Sequence, residues 1–378
     1  MPDLIVIGVQ ELIELTPGQY ISADTNMIKL SWESILIKSI NSQPNSNYVV
    51  LRSLHLVALG LFVFIRTDGV QNIRNLNTSF IKTGLGGMAA NKGGIGISFN
   101  YHDTSIAFVT AHFAAGSSAV EERNRDYFTI NEGLRFQGKK LYEHDMIFWL
   151  GDFNYRLNVP NEEARTRISK NDWKGLASND QLREQMLDGR VFDGFSEGEL
   201  SFPPTYKYDN NSNVYDTSEK ARTPSWTDRI LFKGKHIRQL DYARGEIMMS
   251  DHRPVRSIFV VMVNQIDNKK RDAIQKDLLK KLFASGASQK IQLASVAKRP
   301  SNEILNRTKS IDLLNIKPDN SIPKQQTGIL IQLDDEPGST NPFLEGPPST
   351  WNYPSGRLPP PSSEYSKWWQ ENTTLLDL

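Results

Sequence analysis

Asp152 and Asn154 stand two residues apart, directly after Gly151 and the apolar run Met146-Ile147-Phe148-Trp149. A carboxylate and a carboxamide delivered together from a strand end suit a reaction centre. The same residue types also make an ordinary strand-terminating turn in which Gly151 ends the strand. The rest of the chain decides between these readings. Glu11 follows an apolar stretch at 4–9, and His112 closes one at 106–112. Asp228 precedes the stretch 230–232, and Asp251-His252 precedes 255–263. Each acid or imidazole therefore stands at or beside the end of a candidate strand.

A carboxylate at a strand end can hold Mg²⁺, which prefers oxygen ligands and keeps several waters, and Glu11 is placed for this. Glu11 equally suits the first turn of a helix. Adjacent strand residues point to opposite faces, so the carboxylate that orients His252 can be Asp228 and not its neighbour Asp251. A carboxylate beside an imidazole favours imidazolium, which stabilises phosphoryl charge. The set Glu11, His112, Asp152, Asn154, Asp228, Asp251 and His252 has no Ser or Cys nucleophile logic. It suits Mg²⁺-assisted attack of water on a phosphate ester.

Two further stretches offer anion contacts. The glycine-rich segment 83–94 precedes a strand and not a helix, which excludes a P-loop and a dinucleotide fingerprint. Asn91 and Lys92 sit where a flexible backbone lets an anionic ligand approach, or where a hairpin simply turns. Around the polar turn Asn210-Asn211-Ser212, the residues Tyr206, Lys207, Lys220 and Arg222 could converge on a phosphate that is bound and not transferred. A solvated surface hairpin accounts for the same residues.

The elements that must position these groups are strands at 4–9, 56–65, 94–99, 106–112, 146–150, 230–232 and 255–263. Helices are predicted at 29–40, 120–133, 161–170 and 180–187. In the last, Asn179 or Asp180 caps, and Leu182, Met186 and Leu187 face inward. Strands outnumber helices, which predicts an α/β fold of mixed sheets with helices on their outer faces. From residue 268 a basic stretch carries Ile274, Leu278, Leu279, Leu282 and Phe283 at helical spacing. It reads as a helix packed on the domain or fraying into a linker, or as an amphipathic segment touching anionic lipid. Beyond Ser285 the chain is rich in Ser, Asn, Gln and Pro, and a disordered tail is predicted.

The 44 Lys and Arg against 43 Asp and Glu leave a net charge of +1, so charge alone makes the chain no nucleic-acid binder. The absence of Cys excludes disulfides, thiolate metal sites and a Cys nucleophile. No apolar run approaches the roughly 18 to 20 residues that span a bilayer. Met1-Pro2-Asp3 lacks the basic region of a signal peptide. The stretch 4–9 begins almost at residue one with no preceding strand to neighbour it, which suggests a chain that begins inside a domain.

Taken together, Gly8-Val9-Gln10-Glu11, Gly86-Gly87-Met88 through Asn91-Lys92-Gly93-Gly94, Ala111-His112, Trp149 to Arg156, Pro224 to Leu231 and Ser250 to Val255 resemble the inositol polyphosphate 5-phosphatase family. The resemblance covers residues 3 to 262 and is greatest to the synaptojanin-like branch. It implies a four-layer αββα sandwich of the exonuclease–endonuclease–phosphatase superfold. It implies that Glu11 holds Mg²⁺, that Asp152 positions or deprotonates the attacking water, and that Asn154 hydrogen-bonds the scissile phosphate. By the same resemblance His112 and His252 hold that phosphate, with Asp228 and Asp251 in support. Tyr206, Lys207, Lys220 and Arg222 would recognise a 4-phosphate, and Asn91 and Lys92 the lipid-side phosphate. Family members begin with a further strand ending in a Trp-Asn-Val-Asn-Gly-type motif, and the sequence starts after it. The expected layout is a 5-phosphatase domain lacking its first strand at 1–264, a basic helical linker at 265–300 and a disordered tail at 301–378.

The implied activity is Mg²⁺-dependent removal of the 5-phosphate from phosphatidylinositol 4,5-bisphosphate, in a cytoplasmic protein peripheral at endocytic membranes. The alternatives are a catalytically weak phosphoinositide-binding scaffold and another phosphodiesterase of the same superfold. In the tail, Asn341-Pro342-Phe343 is a tripeptide that EH domains recognise. Arg357-Leu358-Pro359-Pro360-Pro361 suits an SH3 domain, and Leu375-Leu376-Asp377-Leu378 resembles a clathrin box.

Overall fold

Three stretches are apolar on both faces, and they become central strands. Leu59–Arg66 and Thr104–His112 are buried along almost their whole length, and Met146–Asp152 along most of it. Strands buried on both sides need continuous apolar sequence and cover from both sides. In a computed structural model, residues 1–13, 26–87 and 89–284 are described. The chain divides into two units, Met1–Gln292 and Leu293–Leu378. The second lies outside the described residues, and with it the three tail motifs.

In chain order the elements are β1 (Leu4–Val9), α1 (Asn26–Asn41), β2 (Tyr48–Leu56), β3 (Leu59–Arg66), β4 (Ile73–Gly84), β5 (Ala89–Tyr101) and β6 (Thr104–His112). There follow α2 (Val120–Gly133), β7 (Arg135–Phe136), β8 (Lys139–Lys140), β9 (Met146–Asp152), α3 (Asn161–Ser169), α4 (Trp173–Ala177) and α5 (Gln181–Leu187). The last are β10 (Ser196–Glu197), β11 (Asp228–Gly234), β12 (Ile237–Arg244), β13 (Val255–Val261) and α6 (Asn268–Ala284). One sheet has the order β1-β3-β2, and a larger one β10-β11-β9-β6-β5-β4. Only the β6–β9 pair of the larger sheet is parallel. β12 and β13 form a separate antiparallel pair.

Four layers follow from what packs on what. Between the sheets, Leu59, Leu61 and Val63 of β3 cluster with Ile95, Ile97 and Phe99 of β5, Phe108 of β6 and Phe148 of β9. On one outer face, Trp32, Leu36 and Ile37 of α1 pack on Phe62 and Phe64. On the other, Tyr127 and Ile130 of α2 and Leu182 of α5 cluster with Val109 and Trp149. Each fully buried large side chain contributes about 1.5–3 kcal/mol. The result is helix, sheet, sheet, helix, as the sequence implied.

Some expectations change. The predicted strand 56–65 is the far half of a β2–β3 hairpin, and β2, β4 and β12 were not anticipated from the sequence. Asp180 does cap α5, accepting from the Arg183 N–H at 3.0 Å. Leu187, however, is 78 % exposed, because Leu182 and Met186, four residues apart, already form the inward stripe of this short helix. Gly151 does not end its strand. It lies inside β9 at φ +139, where a Cβ would sit 2.1 Å from the Ala111 carbonyl oxygen. Only glycine lets β6 and β9 stay paired there. All described side chains of α6 are exposed, so packing on the domain is not what holds it among the described residues. It departs from the end of the sheet where β6 begins, as Ile266 N–H donates to Asp103 Oδ2 at 2.8 Å. No helix among the described residues is long and apolar enough to cross a membrane.

Candidate active site

Strand register alone brings three predicted residues together. Gly93 of β5 pairs with His112 of β6, His112 with Asp152 of β9, and Asp152 with Asp228 of β11. Directly paired residues on neighbouring strands project from the same face. His112, Asp152 and Asp228 thus form a row across one end of the sheet with no loop needed to aim them. Within the row, His112 Nε2 lies 3.1 Å from Asp152 Oδ2, both residues buried. The Lys92 ammonium meets the same imidazole nitrogen.

His252 joins the row through loop pairing. Tyr206 bridges both Ser225 and His252. Arg253 N–H donates to the Thr205 carbonyl at 2.8 Å, and Tyr208 N–H to the Asp251 carbonyl at 2.9 Å. This stitches the segments around Tyr206 and His252 onto the start of β11. His252 Nδ1 then lies 2.9 Å from Asp228 Oδ2, which also accepts from the hydroxyls of Thr205 at 2.7 Å and Thr227 at 2.9 Å. Asp228, and not the adjacent Asp251, orients the imidazole. Asp251 instead accepts from Lys207 Nζ at 2.6 Å.

Asn154 turns back onto Asp152. At φ +56, its backbone N–H donates to Asp152 Oδ1 at 2.9 Å. Its Nδ2 donates to Phe113 O at 3.1 Å and Asp152 Oδ2 at 3.2 Å. Arg156 fixes this amide, donating from Nη2 to Asn154 Oδ1 at 2.6 Å while its guanidinium lies 4.2 Å from the Tyr206 ring centroid. Tyr206 in turn packs on the His252 ring at 4.6 Å. Thr205, Thr227 and Arg156 were not singled out from the sequence. Arg156 closes the stretch Trp149 to Arg156 and Thr227 lies beside Asp228, whereas Thr205 offered no signal.

Charge pairing sets the protonation of the centre. Burial alone would push the Asp152 carboxyl up. The hydrogen bond and charge of His112, then the charges of His252 and Lys92, hold it well below the usual carboxylate range. Burial would lower the His252 imidazole, but the charge and hydrogen bond of Asp228, with Asp152 and Asp251, raise it to about 9. His252 is therefore a cation at neutral pH. Burial lowers the Lys92 amine from its ordinary value, partly offset by Asp152 and Glu11.

The other predicted residues are less gathered. Glu11 is exposed just past β1, at φ +56. The preceding Gln10 anchors that end to β6, donating to Thr110 Oγ1 at 3.0 Å. Asn91 is half-buried beside Gly84 and not in the row. Arg222 lies 3.4 Å from Asp216, and Lys220 is exposed. Lys207 and Arg222 are each paired with a carboxylate, Asp251 and Asp216 respectively. No group of three His, Asp or Glu that could hold a metal occurs among the described residues. A single exposed carboxylate at a strand end, such as Glu11, still fits Mg²⁺, which is usually held by one or two carboxylates, substrate phosphate and water.

This row of imidazoles and carboxylates at the end of a two-sheet sandwich defines a class. Residues 1–258 match the endonuclease/exonuclease/phosphatase family 2, and the chain belongs to that family. Within it, the chain is 41 % identical over 281 residues to inositol-1,4,5-trisphosphate 5-phosphatase 1 of Schizosaccharomyces pombe, a match covering 74 % of this chain and 26 % of that protein. It is 40 % identical over 307 residues to synaptojanin-1 of Homo sapiens, covering 73 % and 19 % respectively. The chain thus spans about a quarter or less of the length of these relatives. A solved inositol polyphosphate 5-phosphatase domain of a synaptojanin, in complex with inositol (1,4)-bisphosphate and calcium, superposes with a TM-score of 0.68 at 38 % identity. That match covers 76 % of this chain and 84 % of the solved one.

His252 gains its partner on folding, so its raised pKa stabilises the fold below pH 6.5, and that stability is lost as pH rises through about 9. The contribution is on the order of 3 kcal/mol. Asp228→Asn should return the His252 titration, read by NMR, to 6.5 or below and flatten the loss of unfolding free energy over this window. A His252 titration unmoved in Asp228→Asn would show that another group holds the proton.

Proposed function

We propose that the domain hydrolyses the 5-phosphate of phosphatidylinositol 4,5-bisphosphate, with Mg²⁺ as cofactor. The observation that carries this reading is the in-register row His112–Asp152–Asp228 with His252 charged beside it. Support also comes from the relatives, which include an inositol-1,4,5-trisphosphate 5-phosphatase, and from a solved neighbour that holds an inositol bisphosphate.

Each residue has a task that its surroundings allow. Asp152 stays ionised at neutral pH, so it accepts a hydrogen bond from the attacking water and orients it. Asn154 keeps the carboxylate in place through its backbone N–H and Nδ2. His252 uses Nδ1 on Asp228 and leaves Nε2–H as a charged donor for the phosphate. His112 and Lys92 place further donors beside Asp152. Glu11 would hold Mg²⁺, which supplies charge neutralisation at the phosphate when bound. Tyr206, Lys207, Lys220 and Arg222 are assigned to the 4-phosphate, and Asn91 and Lys92 to the lipid-side phosphate. For the first group this requires Lys207 and Arg222 to leave Asp251 and Asp216 when substrate arrives.

A peripheral role at endocytic membranes, with EH-domain, SH3-domain or clathrin partners, extends the proposal to the tail. Phe343→Ala should remove binding of a tail peptide to an EH domain, and equal binding by both peptides rejects that partner.

Phosphate release from short-chain phosphatidylinositol 4,5-bisphosphate, read with malachite green, tests the chemistry. Release should require Mg²⁺, stop with chelator, and fall at least about a thousandfold in Asp152→Asn. Undiminished release by Asp152→Asn would refute the assignment of Asp152.

A further inference from the structure

Two loops beside the cleft play no part in the chemistry. One spans residues 209–214, after Tyr208. The other spans 245–250, between β12 and the site residues Asp251-His252. They are tied to each other. Asn211 N–H donates to the Met248 carbonyl at 3.1 Å. The fully buried Arg253 donates from Nη1 to Ser250 O at 3.0 Å and from Nη2 to Asn213 Oδ1 at 3.2 Å, and also meets Ser212 O. Its guanidinium stacks 3.9 Å from the Tyr208 ring centroid. A buried cation held through both terminal nitrogens by the two loops fixes their relative position.

The rim so fixed displays apolar side chains to solvent. Val214 is 52 % exposed on the first loop, and Ile247, Met248 and Met249 are 39, 40 and 61 % exposed on the second. Three consecutive exposed apolar side chains, with Val214 on the loop tied to them, form a candidate interaction surface. The rim is also continuous with the cleft. The first loop follows directly on Tyr206-Lys207, and the second ends at Asp251-His252. Its occupant must therefore be apolar where it meets the methionines and must leave a phosphate free to enter beside them. A protein seated across the rim would cover the mouth. A lipid bilayer offers an apolar interior and headgroup phosphates side by side. Methionine suits such a surface, being unbranched and adaptable. The exposed apolar residues of α6 belong elsewhere, because α6 departs from the opposite end of the sheet.

We infer that Ile247, Met248, Met249 and Val214 form a rigid rim that inserts into the bilayer carrying the substrate, holding the cleft at headgroup depth. The inference rests on the reading of the substrate as a lipid.

The test uses the full chain and vesicles of phosphatidylcholine and phosphatidylserine without phosphoinositide, so that headgroup capture does not contribute. Met248→Glu with Met249→Glu should lower sedimentation with these vesicles at least about tenfold. The same variant should lower turnover of phosphatidylinositol 4,5-bisphosphate in vesicles to a similar degree, and leave turnover of soluble inositol 1,4,5-trisphosphate within about twofold of the parent. Unchanged sedimentation, or an equal fall on the soluble substrate, overturns the rim. The chain has no cysteine, so Met249→Cys provides a unique attachment point for a polarity-sensitive dye. Its emission should shift to the blue on adding vesicles, and no shift contradicts insertion. If the parent chain turns over neither substrate, the catalytic reading fails, and sedimentation and dye emission alone decide the rim.

Discussion

The pairing of buried carboxylates with imidazoles at one end of the larger sheet is the constraint on which the rest depends. Asp152 is almost fully buried and yet ionised, which is tolerable only beside His112, His252 and Lys92. Removing one member of such a set leaves an uncompensated charge in a poorly solvated place, at a cost of about 3–5 kcal/mol. The sheet meets this demand through register. β6 and β9 run parallel and end together, while β11 runs the other way and begins there. His112, Asp152 and Asp228 stand abreast as a consequence. Gly151 and Gly93, both at positive φ, allow the backbones to approach at that level.

Buried guanidinium groups hold the loops that complete this centre. Arg229, beside Asp228, is fully buried between Asp180 at 2.8 Å and Glu197 at 2.6 Å. Asp180 meanwhile caps α5, so one carboxylate joins helix, strand and loop. Arg156 holds Asn154 and stacks on Tyr206, and Arg253 clamps the two rim loops. Arg123, its pKa lowered by burial to about 10, shares Gln181 Oε1 with the Arg156 backbone N–H. Each uses the planar, multi-donor geometry that lysine lacks. The site is thus assembled from the strand ends outward, with arginines fastening what strand pairing does not reach.

How much of this the sequence disclosed follows from where each residue lies in the sheets. Central strands such as β6 and β9 are covered on both faces, and their apolar runs located His112 and Asp152 in advance. β2, β4 and β12 lie at sheet edges and carry polar residues on their open sides, as in Arg74, Asn75, Asn77, Thr78 and Ser79 of β4, so no apolar run revealed them. The strand-end character of Asp228 and the opposite faces of Asp251 and His252 were enough to point to the Asp228–His252 pair. The Thr205 hydroxyl on Asp228 was not readable, because it depends on a pairing between separate loop segments, whereas Thr227 is the neighbour of Asp228 in the chain. The placement of Lys92 against His112, deep in the row, likewise comes from the β5–β6 register and not from local sequence.

The central claim is that Asp228 keeps His252 charged so that it can serve the phosphate. The pH dependence of kcat/KM for phosphate release, at saturating Mg²⁺, tests this most directly. The account predicts activity that persists through neutral pH and falls as pH rises through about 9, with the loss of the His252 proton. A fall centred near the ordinary imidazole value of 6.5 would contradict it.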